Sequence, residues 1–443
     1  MTASTGAPDQ ATAPDARVVT SGEGLAARRA LRAARLRGVV FVALGVLSFY
    51  FATRSLDVAT TFSFWLDRPG GEFASVKPSV GVLWIITGLA AGLVGILHFL
   101  RGAAFRWRVW LVLVAAPWIF ATLATLLAGK AANLTGLVAS TLELSTPLML
   151  GAMAGILSER SGIFNIALEG KMLVGALVAA IGSSVTRIIT GNDIAAVLVG
   201  VLLAMLASGL LGLLLAWLGI RHRVDQIIAG AVINIGAVGI TSFIFLRVLS
   251  RNTQFNQPAT VSAIELPFLS DIPLLGPMLF SSRPYVYIGF LIVAVLTYML
   301  FRTRWGLRLR ASGEKPAAAG TVGINVIAIR YQALFLAGLI TGLAGSYLSL
   351  ATSGSFQIEL TAGKGFIALA AMIFGAWHPV GALGAALVFG FTDASQTLLS
   401  VVGVQVPPQI LSSIPYVITI VVVAGVVGRV RGPAAAGQPY EQG

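Results

Sequence analysis

The sequence predicts an all-α fold: a polytopic bundle of ten to twelve transmembrane helices with both termini in the cytoplasm. Hydrophobic residues make up 57% of the 443-residue chain and charged residues only 11%, with a mean hydropathy of +0.89, whereas soluble domains carry roughly a quarter charged residues. Apolar runs near the roughly 20 residues that a helix needs to cross a bilayer recur along the chain. Arg and Lys concentrate in alternate short loops between those runs, the pattern of segments retained on the cytoplasmic side.

Residues 1–37 are rich in Ala, Thr, Pro and Asp and turn basic at Arg28, Arg29, Arg32, Arg35 and Arg37, which predicts a disordered tail whose basic end holds the N-terminus inside. Spans are then expected at about 38–53, 79–100 and 109–128, within an N-terminal extension covering 38–133. A larger block, 134–428, carries runs at 134–157, 166–189, 194–220, 226–249, 284–301, 331–352, 380–400 and 410–428, and 429–443 form a second cytoplasmic tail. The run at 366–377 falls well short of a span unless it extends back through Lys364. It is either a full helix or one arm of a re-entrant hairpin with 380–400, joined at Trp377-His378-Pro379. Basic loops follow the second run (Arg101, Arg106, Arg108), the sixth (Arg221, Arg223) and the eighth (Arg302, Arg304, Arg308, Arg310, Lys315). The loop at 250–283, with Pro258, Pro267, Pro273 and Pro277 and the acids Glu265 and Asp271, is expected outside. Arg429 and Arg431 place the C-terminus inside, so the number of crossings is even; ten and twelve both satisfy this, with twelve preferred.

The net charge of +13 does not point to nucleic acid, because the basic residues sit in short loops and never form a solvated stripe. The chain has no Cys, hence no disulfide framework and no thiolate site. It lacks a phosphate-binding loop: neither Gly129-Lys130 nor Gly363-Lys364 has the upstream Gly or the following hydroxyl. With no Gly-x-Ser-x-Gly elbow, no His-Glu-x-x-His pair and only three scattered His, no catalytic residue, bound metal or cofactor is expected in this chain. Gly338-x-x-x-Gly342 and Gly381-x-x-x-Ala385 read as helix-packing surfaces.

Polar residues inside the apolar runs are costly, so they face a cavity or a partner. The candidates for a solute pathway are Glu143 in the fourth run, Asn165 and Glu169 four apart on one helix face, Asn234 in the seventh run, and Asp393 with Gln396 three residues on. A solute rich in hydroxyls and ring nitrogens would need such donors and acceptors. The competing reading is structural: Asn and Gln bridge helices, and Glu169 caps a broken helix or pairs with Lys171 or Arg160. His98, beside Arg101 at a helix end, is expected to reach the interface.

The loop at 302–330 is basic, and Pro316 within it suits the first turn of a short helix that Gly320 or Gly323 would end. Such a helix of small residues, entered through Arg310, Gly313 and Glu314, is shaped to dock in a groove of another protein. Ala317-Ala318-Ala319-x-x-x-Gly323 resembles the Ala-Ala-x-x-x-Gly core of the coupling loop of ATP-binding-cassette importer permeases. The usual leading acid is replaced by Ala317, a departure shared by the branched-chain amino acid and simple-sugar permease family. The run from Ser158 to Leu173, Asp271 to Pro277, and Gly365 to Ala370 also resemble the nucleoside and simple-sugar branch of that family; together the resemblance covers about 134–428. It implies a subunit of the inner membrane, surrounded by lipid, that pairs with a homologous second permease. It also implies a separate cytoplasmic ATPase that binds the ATP, and an external solute-binding lipoprotein; the solute would be a nucleoside or related simple sugar. The rival is an ion-coupled secondary transporter using Glu143, Glu169 or Asp393, although no convincing inverted repeat supports it.

Overall fold

The computed structural model describes residues 16–65, 72–101, 107–404, 432–438 and 440. The expected span at 410–428, with Arg429 and Arg431, lies outside the described residues. The chain folds as two compact units, one of residues 1–62 and 76–132, the other of 63–75 and 133–443.

In the first unit, α1 (Ala16–Thr53), α2 (Val80–Arg101) and α3 (Trp107–Leu126) are the main elements. Helix α1 begins at Ala16, so residues 16–37 are helical where the sequence reading expected disorder. The Ala-, Arg- and Leu-rich stretch from Gly24 to Gly38 has high intrinsic helix propensity. Gly45 and Gly88 let α1 and α2 approach backbone to backbone: a Cβ on Gly45 would lie 3.1 Å from the Gly88 carbonyl. His98 does not reach outward: it is buried, with its ring 5.3 Å from Phe41 and Nδ1 2.9 Å from the Val94 carbonyl.

The second unit holds α4 (Leu134–Arg160), α5 (Leu168–Thr190), α6 (Asp193–Ala216, continued by a π turn to Arg221), α7 (Gln226–Ile244, continued to Leu249) and α8 (Pro284–Arg302). After them come the short α9 (Arg304–Glu314) and α10 (Pro316–Thr321), then α11 (Val326–Ser346, continued to Ser353), α12 (Lys364–Phe374) and α13 (Pro379–Val401). Among the described residues, nine helices are long and apolar enough to cross a membrane.

Helix α4 is the axis of this unit, packed by α8, α11, α12 and α13. Pro147 inside it has no N–H for the Glu143 carbonyl. The Tyr347 hydroxyl donates to that carbonyl at 2.9 Å instead, which satisfies a group that hydrocarbon could not. The small-residue positions pack as expected: a Cβ on Gly338 or Gly342 would lie 2.4 or 2.3 Å from carbonyls of Ser208 and Ala204 on α6, so only Gly permits this α6–α11 contact. On Gly381 a Cβ would meet the Gly375 carbonyl in the turn before α13.

Helix α12 is only 11 residues long. It runs alongside α4 in the same direction, with Gly151 facing Ala368, Gly155 facing Met372, and Glu159 and Arg160 holding Trp377. Before it, Phe356 is held by Asn256 of the α7–α8 loop at 2.7 and 2.9 Å. The chain therefore passes from the Phe356 end of the bundle to the Trp377 end by irregular segment plus half-helix, and α13 carries it back. The run at 366–377 is thus not a full-length helix; α12 is a short arm that turns at residues 375–378 and packs against α13.

Candidate functional site

Two interruptions of helical structure, each a connection between successive helices, meet at one place. The first is residues 161–167, where α4 has ended and α5 has not begun. Gly162, at φ +99°, turns the chain out of α4. The backbone that follows is clipped by two side chains of α7 spaced two turns apart. Gln226 Oε1 accepts from the Phe164 N–H at 2.7 Å; Asn234 accepts from the Gly170 N–H at 2.8 Å and donates to the Ile166 carbonyl at 2.9 Å. Asn165 therefore lies outside the helix, and the expectation that Asn165 and Glu169 share a helical face fails: α5 starts only at Leu168.

The second interruption is 354–363. Glu359 and Ala362 have φ of +54° and +46°, and Gly363 +80°. This segment ends against Glu169, in the first turn of α5 and only 8% exposed. Its Oε1 accepts from the Thr361 hydroxyl at 2.5 Å and the Gly363 N–H at 2.9 Å, and its Oε2 from the Gly365 N–H at 2.6 Å. These N–H groups open α12 and have no partner within the helix, so the carboxylate acts as a cap supplied by another helix, placed where the helix dipole favours an anion. Gly365 is required for the approach, because a Cβ there would sit 2.6 Å from the Glu169 backbone.

Lys171, one turn into α5, is fully buried and donates to Asn165 Oδ1. Asn165 is itself fully buried, and its Nδ2 has no hydrogen-bond partner in the structure. The pairing offered to Glu169 by sequence is therefore not made: Lys171 goes to Asn165, and Arg160 donates to the Trp377 carbonyl at 3.0 Å. The junction thus buries one carboxyl and one amine, each held by neutral groups, and ionisable side chains are costly to bury in this way. Its outward side is open: Gln357, Ile358, Glu359 and Ala362 are exposed on the protein surface. Irregular backbone at membrane depth is tolerated where protein buries it or where it lines a watered cavity.

Of the candidate pathway residues, the structure gathers Asn165, Glu169 and Asn234 at this junction. Glu143 is elsewhere, ion-paired with Arg283 at the start of α8. Asp393 and Gln396 are half-buried on α13, with Asp393 near enough to Lys364 of α12 to feel its charge. Sequence reasoning missed Lys171 as a site residue, along with Thr361, Gln226 and Arg283. Lys171 alone carried a signal, a charge inside an apolar run; the others depend on contacts between distant segments.

The coupling candidates form a second cluster. Thr303 caps α9 by accepting from the Gly306 N–H at 3.1 Å. Arg310 reaches back over the Phe301 ring at 5.1 Å, and Gly313 is buried against the end of α4, where a Cβ would lie 2.3 Å from the Arg160 carbonyl. Pro316 opens α10, and Gly323, at φ +82°, lets the chain leave it. Ala319 faces inward, 4% exposed, while Ala317, Ala318, Thr321 and Val322 face outward. Glu314 is exposed beside them.

No solved structure is detectably similar to this chain. Among curated proteins, the guanosine ABC transporter permease protein NupQ of Bacillus subtilis is 38% identical over 69% of this chain and 97% of its own length. The nucleoside ABC transporter permease protein NupC of Lactococcus lactis is also 38% identical, over 69% of this chain and 96% of its own. The guanosine permease protein NupP of Bacillus subtilis matches at 26% identity over 57% of this chain and 71% of its own length. Both interruptions, α10 and, but for the first three residues of α4, the spanning helices around them fall inside the segment, residues 137–424, that matches the family model described as branched-chain amino acid transport system / permease component. The chain is a multi-pass membrane protein, and it belongs to that permease family.

Proposed function

We propose that this chain is one permease subunit of an ATP-binding-cassette importer that carries nucleosides, or a closely related sugar-containing solute, into the cytoplasm. The observation that carries the reading is the junction at Glu169, where the α4–α5 and α11–α12 connections meet and part of the second is exposed. The polar groups there, including the Asn165 Nδ2 that has no partner among the described residues and the exposed Gln357 and Glu359, suit a solute with ring nitrogens and hydroxyls. The names of NupQ and NupC support a nucleoside. A homologous second permease would close the open side of the junction, as the similarity to both NupQ and NupP of one organism supports.

With α10 on the cytoplasmic side, its outward Ala317 and Ala318 offer a flat surface for a separate ATPase, which would bind the ATP. A lipoprotein would deliver solute to the opposite, external face. ATPase closure and solute binding then bias the same two packings of the junction. The test is uptake of radiolabelled guanosine, competed by other nucleosides and by free pentoses, in cells with and without this gene. Gene-dependent uptake that stops when ATP is depleted while the ion gradient is held supports the proposal. Uptake that persists under those conditions contradicts it.

A further inference from the structure

The described C-terminal residues, 432–438 and 440, do not trail away from the fold. Ala435, 4% exposed, donates its N–H to the Gly313 carbonyl at 2.9 Å, and the Ala434 N–H reaches Glu314 Oε2 at 3.3 Å. Two residues on, the Gly437 N–H donates to the Gly162 carbonyl at 3.2 Å. Tyr440 lies over Gly320 of α10 so closely that a Cβ there would be 2.4 Å from its hydroxyl. Gly432 packs on Trp377. The segment therefore touches the α9–α10 loop, the 161–167 interruption and the turn before α13 together.

Arg330, in the first turns of α11 and 1% exposed, joins the end of α9, the 161–167 interruption and the C-terminal segment itself. Its Nε donates to the Ser161 carbonyl at 3.1 Å, Nη2 reaches the Ser312 carbonyl at 3.5 Å and Nη1 the Gln438 carbonyl at 3.5 Å, while the guanidinium lies 5.8 Å from the Tyr440 ring centre. The Ser312 hydroxyl lies 3.2 Å from the Ser161 carbonyl as well, though its proton has a nearer acceptor in the Leu309 carbonyl at 2.7 Å. Gly162 is what admits Arg330: a Cβ there would be 2.6 Å from Nη2. A planar fork with several donors can hold three carbonyls of different segments at once, and an ammonium of the same charge cannot reproduce it.

We propose that residues 432–438 and 440 are a strap which, with Arg330 as positioning residue, locks the α9–α10 loop to the 161–167 interruption, so that displacement of α10 moves the base of α5. The path is short and contiguous: α10 and Gly313, then Arg330 and the strap, then Ser161 and Gly162, then the segment leading to Asn165, Glu169 and Lys171. It gives the ATPase-facing surface a mechanical connection to the Glu169 junction. The proposal rests on the reading of α10 as the ATPase-docking element.

The experiment uses the whole transporter, with its ATPase and second permease co-expressed. Three variants are compared with the unaltered complex: truncation after Gly432, Arg330→Lys, and Ala435→Pro, which removes the N–H given to Gly313. ATPase co-purification, ATP hydrolysis and solute uptake are measured on each. The strap predicts that the ATPase is retained, hydrolysis stays within about twofold, and uptake per ATP falls by about tenfold or more, the scale at which residues between two sites alter their coupling. A part that merely stabilised the fold would lower all three measurements together, and that outcome overturns the proposal. Unchanged uptake per ATP in Arg330→Lys and Ala435→Pro overturns it too, and these two variants carry the test where the truncated chain does not accumulate. An unaltered complex that fails to retain any ATPase would sink the docking reading, and with it the strap, before a variant is measured.

Discussion

Glu169→Gln changes no volume and removes one charge, so its consequence can be worked from the three hydrogen bonds that end on the carboxylate. The Gln carbonyl can keep the Thr361 hydroxyl and the Gly363 N–H, now at 2.5 and 2.9 Å from Oε1. The amide nitrogen then faces the Gly365 N–H, 2.6 Å from Oε2 in the native chain, and two donors meet. Leaving a buried donor unpaired costs about 1–3 kcal/mol. Losing an anion from a partly buried helix N-terminus costs about 1 kcal/mol more. The sum, about 3 kcal/mol, shifts the population of the docked α12 N-terminus by roughly a hundredfold. The assay is labelled-nucleoside uptake normalised to protein in the membrane. Uptake should be lost while abundance is kept, because the spanning helices do not depend on this cap. Glu169→Asp, which keeps the charge but withdraws it by one methylene, should fall between. Wild-type uptake by Glu169→Gln would refute the reasoning.

Asn234→Leu strips partners from both the Gly170 N–H and the Ile166 carbonyl; a cost of about 2–4 kcal/mol is expected, read as a lower melting temperature in detergent together with loss of uptake, and an unchanged melting temperature would contradict it. Ala318→Glu puts a charge on the outward face of α10, and a close-fitting partner should reject it by about 3 kcal/mol or more, so the ATPase should no longer co-purify although the permease still inserts; full co-purification contradicts the docking surface. Burial, and then the neighbouring Arg160 guanidinium, hold the His378 imidazole below its ordinary 6.5, and its Nδ1 accepts from the Val380 N–H at 3.3 Å, which requires the neutral ring. A folded-state value below the unfolded one gives a contribution fully present above pH 6.5 and lost as pH falls through the folded value. Melting temperature should therefore decline on acidification below pH 6.5, and the decline should flatten in His378→Asn, which caps without titrating; an identical slope in both proteins would contradict this.

Hydropathy located the helices because it reports which solvent a segment meets. The run at 134–157 became α4 and that at 194–220 became α6 with its π turn. It was weakest at residues 16–37, which are helical without a long apolar run, and at α12, half a span whose N-terminus is capped by Glu169, nearly 200 residues earlier in the chain. The site was legible as residue types but not as partners. The Asn165–Lys171 contact crosses a helix start, so helical spacing could not reveal it. Glu143 read as a pathway candidate, and nothing in the sequence pointed to Arg283 as its partner; Arg330 was not singled out at all, because its three carbonyls come from distant segments.

Because the chain has no Cys, a single introduced cysteine reports on one position without background. Ala362 is exposed, between Thr361 and Gly363, which both bind Glu169, and Ala362→Cys in the assembled transporter tests whether this junction is the solute path. A charged, membrane-impermeant thiol reagent added outside should label it when the ATPase is idle. Labelling should slow when nucleoside is present, and stop when the ATPase is trapped with a non-hydrolysable ATP analogue. A cysteine that reacts at the same rate in all three conditions, or in none, would contradict an ATP-driven pathway through the Glu169 junction.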